Sequence, residues 1–421
     1  MTHIISNKTV SARMISAHFV AGGLAYLIVC VLLISSGDAF AGHFFHPQLL
    51  AMVHLAALGW ITMIIIGSIY QIVPVILNVD LFSTKLAVYT FISLIIGIAG
   101  LSCTFLHFIT GIIMQVSAVV LLTSLVSFCV NIWFTASKNK KENIQSDFIL
   151  TSLLWLLVTV ILGTLLVFNL SYAFLPEEHL HYLKLHAHIG FGGWFILLVM
   201  GVLSKLAPMF LLSKPTTEKP LKISWYLVNL AISLFLIDML FNKGSLGIVC
   251  WVIFAFGIGA YAIFIISVWK NRLRRKVDLI LHVTYKILPV IFVALAIGLI
   301  LLICQPDQTF LNLCKVYGTL VLGGFLTGLI LAQTFKILPY LVWLEKYEKK
   351  AVLEKVPQPH DLYHATWLKL QFAFFIPGLV MLIMGIIIKT EMLIIVGSAA
   401  MLISAVFYNL NIFRLICVKP N

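Results

Sequence analysis

Twelve apolar runs leave this chain very few folds to choose from. They fall near 16–36, 47–77, 84–104, 110–136, 148–174, 183–212, 222–241, 245–270, 281–304, 309–341, 365–388 and 390–416. A run of about 20 apolar residues crosses a bilayer as a helix, because only a helix satisfies its own backbone groups where no water reaches. Of 421 residues, 62% are hydrophobic and only 10% charged, a balance that excludes a soluble globular domain. The chain reads as an all-α polytopic membrane protein, with one membrane domain spanning 1–421. Met1–Arg13 is polar and the first apolar run is full length, so no cleavable leader is expected.

The charges sit between the runs, and they alternate. One set of loops holds Lys138, Lys140 and Lys141, then Lys214, Lys219 and Lys222. The same side continues with Lys270, Arg272, Arg274, Arg275 and Lys276, and then Lys346, Lys349, Lys350 and Lys355. Of the 28 lysines and arginines, only Lys184, Lys243, Lys315 and Lys389 fall on the other side. Positively charged loops stay in the cytoplasm, so both termini are expected there. The same loops suit anionic lipid of the inner leaflet and give no reason to expect nucleic acid as a partner.

A ruler recurs along the chain. Counted from His188, glycines stand at +5 and +13 (Gly193, Gly201) and a proline at +20 (Pro208). From His54 the same steps reach Gly59, Gly67 and Pro74, with Trp60 matching Trp194. From Thr319 they reach Gly324, Ala332 and Pro339. The motif occupies the second, sixth and tenth runs, so three quasi-repeated four-helix units are expected, near 14–136, 148–270 and 281–416. Glycines at fixed register permit close helix approach. Three residues before each proline stand Gln71, Lys205 and Lys336. Lysines there reach the interface with their ammonium groups; a part in a proton path is the sharper alternative.

The histidines carry the chemistry. His43, His46, His54, His107, His179, His181, His186 and His188 all fall on the outer side or in the outer third of a run. An imidazole inside a bilayer needs a partner, and it is a good metal ligand. His54 and His188 share one register of two repeat-related helices. His186 and His188 are two residues apart, so on a helix they diverge by roughly 200° and cannot share one metal. Met52 and Tyr317 stand where the other copies would place His186, and Thr319 where they would place His188. The third copy therefore reads as a packing helix. His43 and His46 suit either an interfacial aromatic belt or an outer copper site. His18 and His282 read as hydrogen-bonded packing residues, and His360 and His364 as solvated. No CxxC or CxxCH occurs among the seven cysteines, which points away from a thiolate zinc site and from covalent haem. Cys304 and Cys314 flank a short loop and read as packing residues.

The run His186-x-His188-x-Gly190-x-x-Gly193-Trp194, followed by Gly201 and Pro208, resembles the His-x-His-x-Gly-x-x-Gly-Trp helix of haem-copper oxidase catalytic subunits, most closely the C-family cytochrome oxidases. The ruler also resembles the twelve-helix NnrS family, linked to the nitric oxide response, whose motif begins His-x-His-Glu. Ile189 stands where that glutamate would be. The resemblance implies haem b, one or two per chain: His188 on one iron with His54 opposite, and His186 on a second. It also implies a bacterial inner (plasma) membrane, an electron donor or a respiratory partner subunit. The oxidase copper site needs a histidine on one helix and a His-His pair on the next, and the seventh run, Lys222–Phe241, has no histidine. Full terminal oxidase activity is therefore not expected; electron transfer or nitric oxide or oxygen handling is. The alternatives are a membrane transporter or assembly factor for copper or haem, and a cofactor-free accessory subunit with an oxidase-like fold.

Overall fold

A computed structural model describes residues 10–139, 143–352 and 354–418, with the side chain of residue 352 left out. Lys140 and Lys141 of the first basic loop lie outside the described residues. Among those residues, twelve helices are long and apolar enough to cross a membrane. They are α1 (Ala12–Ile34), α2 (Pro47–Leu77), α3 (Thr84–Leu106), α4 (Ile112–Ala136), α5 (Ile144–Tyr172) and α6 (His179–Leu211). Then come α7 (Lys219–Phe241), α8 (Gly247–Lys270), α9 (Leu279–Ile303), α10 (Gln308–Tyr347), α11 (Ala365–Ile388) and α12 (Glu391–Cys417). The protein is a polytopic, all-helical membrane protein, and such helices contact membrane lipid along their exposed apolar faces.

Local chemistry sets the helix ends. The side chains of Ser11, Asn143 and Asp307 accept backbone N–H groups of the first turns of α1, α5 and α10. Asp307 takes the Phe310 N–H at 2.8 Å, and that bond holds its carboxyl below the usual carboxylate range. Pro47 opens α2, where a missing N–H costs nothing. Pro74, Pro208 and Pro339 lie inside α2, α6 and α10, as the ruler requires.

The chain forms two compact units. The first comprises Met1–Ile76, Leu94–Ile109 and Leu279–Asn421; the second comprises Leu77–Ser93 and Thr110–Asp278. This grouping cuts across the three expected repeats and divides α3 between the units. The repeat is written instead in the motif helices. Each changes from α- to π-helix within two residues of one register: Leu55–Thr62 in α2, Gly190–Ile196 in α6 and Thr319–Leu326 in α10. A π segment is rare, so its recurrence at three matched sites is strong evidence of a common design.

Packing repeats as well. A Cβ built on Gly67 would come within 2.7 Å of His18 Cβ, and one on Gly59 within 3.1 Å of Ala25 Cβ. In the second unit, Gly201 meets Phe148 Cβ at 2.7 Å and Gly193 meets Trp155 Cβ at 2.5 Å. His18 to Ala25 and Phe148 to Trp155 are both seven residues, so α1 crosses α2 as α5 crosses α6. His18 is buried, as a packing residue should be, and its Nδ1 donates to the Met14 carbonyl at 2.9 Å. His282, by contrast, stands exposed on α9, and His364 stacks on Trp367 at 4.8 Å. No disulfide joins Cys304 and Cys314.

Candidate functional site

In the first unit, His54 is the last α-helical residue before the π segment of α2. Its Nδ1 lies 2.8 Å from the Leu50 carbonyl, and its ring stacks on Phe105 of α3 at 4.6 Å. In the second unit, His188 stands two residues before the π segment of α6. Its Nδ1 lies 2.8 Å from the Lys184 carbonyl, and its ring meets Phe235 of α7 edge-on at 5.8 Å. A carbonyl oxygen only accepts, so Nδ1 carries the proton in both rings. The lone pair is then on Nε2, the nitrogen a metal takes, and the backbone bond fixes the ring's orientation. His54 is half-buried and His188 exposed.

His186 turns the other way. Its Nδ1 donates to the Thr159 carbonyl of α5 at 2.9 Å, and a Cβ on Gly163 would strike its Cε1 at 2.8 Å. His186 thus faces α5 while His188 faces α7, the divergence expected of residues two apart. They serve separate surroundings.

The matched tryptophans are both buried. Trp60 stacks on Tyr26 at 4.7 Å, meets Tyr408 edge-on at 5.1 Å and donates to Thr327 Oγ1 at 3.1 Å. Thr327 Oγ1 in turn donates to the Leu322 carbonyl, inside the π segment of α10. Trp194 lies against Phe128 and Phe195.

The outer histidines have local roles. His46 Nδ1 accepts the Gln48 N–H at 3.3 Å as the cap of α2, and His43 Nδ1 accepts the Phe45 N–H at 2.9 Å. Their chain segment is anchored by a residue that the charge pattern had grouped with the outer loops. Lys315, one turn before Thr319, is 5% exposed and donates to the carbonyls of Phe40 and Gly42. The third copy therefore does more than pack: its outer end pins the segment bearing His43 and His46. Replacing Lys315 with methionine leaves those carbonyls unmet at a cost of roughly 1–3 kcal/mol. Hydrogen exchange at residues 38–46 is expected to quicken, and unchanged protection would contradict the anchor. Farther along the outer side, Glu177 pairs with Lys243 at 2.8 Å, and the ammonium draws the Glu177 carboxyl below its usual range.

At the other end of the motif helices, Lys205 is exposed and Lys336 half-buried. Among the described residues, no three His, Cys, Asp or Glu side chains gather as ligands for a metal ion. A free ion needs such a group, whereas a porphyrin brings four nitrogens and asks the protein only for axial ligands. No protein-family model and no curated protein matches the chain.

Proposed function

We propose that this protein binds haem b, with His54 an axial ligand from its first unit and His188 an axial ligand from its second, and serves electron transfer, or nitric oxide or oxygen handling, in a respiratory membrane. The observation that carries the reading is the repeated imidazole. Two histidines of one register stand at the mouths of two π segments, each with Nδ1–H tied to the carbonyl four residues back. Bound haem supplies an iron that changes valence or takes a diatomic gas. The chain's own part is to hold each Nε2 in a fixed direction, keep water out with apolar helices and raise imidazole basicity through the Nδ1–H bond. His186, bonded to α5, belongs to a second site of the same kind.

The resemblance to haem-copper oxidase subunit I rests on the motif helices. The missing histidines of α7 argue against oxygen reduction at an iron–copper pair, and His43 and His46 are the residues left for an outer copper ion. The basic loops favour both termini in the cytoplasm, and the resemblance points to a bacterial inner membrane, where a respiratory subunit or other electron donor would be the partner.

Iron, copper and haem analysis of the purified full chain tests the reading. Near-stoichiometric haem b with iron is expected. Copper without iron would instead indicate a metal carrier or assembly factor. Protein with neither metal would indicate an accessory subunit.

A further inference from the structure

The basic ends of α6 and α8 are tied together by backbone pairing. Ser213 and Arg272 form an antiparallel bridge. Lys214 N–H donates to the Asn271 carbonyl at 3.1 Å, Leu273 N–H to that of Leu212 at 3.3 Å, and Arg274 N–H to that of Leu211 at 3.1 Å. The Arg272 guanidinium lies 4.0 Å over the Trp269 ring and donates to the Trp269 carbonyl. Arg274 is held by the Phe210 carbonyl and by Asp278. The segment is therefore a rigid ribbon where the membrane spans end.

Two kinds of side chain project from it. Lys214, Arg275 and Lys276 are exposed. So are three apolar residues: Leu212 at 61%, Leu273 at 60% and Met209 at 53%. Exposed leucines beside exposed cations, at the level where helices leave the bilayer, make an amphipathic surface. Water alone does not favour it; a molecule with an anionic head and apolar chains does. Inorganic phosphate would use the cations and leave the leucines wet.

We infer that this ribbon is a binding site for an anionic phospholipid, with Lys214, Arg275 and Lys276 on the phosphate and Leu212, Leu273 and Met209 on the acyl chains. The inference rests on the membrane fold and is independent of haem binding.

Native mass spectrometry of the delipidated full chain in detergent, titrated with cardiolipin or phosphatidylcholine, tests it. Wild-type protein is expected to retain cardiolipin preferentially. Neutralising two cations, R275Q with K276Q, is expected to weaken cardiolipin retention on the order of tenfold or more. L212S with L273S keeps every charge and is expected to weaken it too. K349Q with K355Q, which removes as much charge from a different loop, is expected to change little. Unchanged retention in R275Q/K276Q, or equal loss in the K349Q/K355Q control, would overturn the site. Displacement by inorganic phosphate with no effect of L212S/L273S would overturn the lipid as its ligand.

Discussion

His188→Ala protein from haem-replete cells is expected to lose the b-type band attributed to this ring. Removing a group that only orients a metal ligand costs about 10–100-fold in metal affinity, and removing the ligand itself costs at least as much. Haem retained per chain should therefore fall by about tenfold or more. His54→Ala is expected to behave alike, because its ring is held by the same kind of backbone bond at the same register. His186→Ala should spare the His188 band, since the two rings face different helices. A spectrum unchanged in His188→Ala would remove the assignment.

Gly193→Val is expected to destabilise the second unit. The first carbon alone would come within 2.5 Å of Trp155 Cβ, a separation that carbon atoms do not tolerate. Trp155 is held in place, because its Nε1 donates to Asn229 Oδ1 at 2.9 Å. The helices α5 and α6 must part, and overpacking of this kind costs about 1–3 kcal/mol, occasionally more. Thermal unfolding in detergent should fall accordingly, with Gly259→Val as a comparison, because a Cβ there meets nothing within 4 Å. Equal unfolding of the two variants would contradict the close crossing. Because Gly193 lies within the π segment that follows His188, the substitution should also disturb any haem band that ring supports.

The spans, the proline positions and the divergence of His186 from His188 were legible in the chain, because each follows from one-dimensional spacing. Apolar length decides what crosses a bilayer, and a turn of about 100° per residue decides which neighbours share a face. The glycine register was legible for the same reason, and the contacts of Gly67 with His18 and Gly201 with Phe148 give it a structural meaning.

Other features depend on residues far apart in the chain. A π segment arises where packing on both sides of a helix forces an extra residue into a turn; the glycines at 190, 192 and 193 allow it but do not announce it. Lys315 looked like a loop cation because its solvation depends on carbonyls some 270 residues away. One hint was present: a lysine a full turn inside an apolar helix has to find oxygen atoms somewhere. The two compact units, dividing α3 between them, reflect contacts that internal repetition does not encode.

The most direct measurement is a reduced-minus-oxidised spectrum of the purified wild-type protein, recorded with and without nitric oxide. A b-type band, lost in His188→Ala, is the result expected if His54 and His188 hold haem. Colourless wild-type protein, free of iron after expression in haem-replete cells, would contradict it.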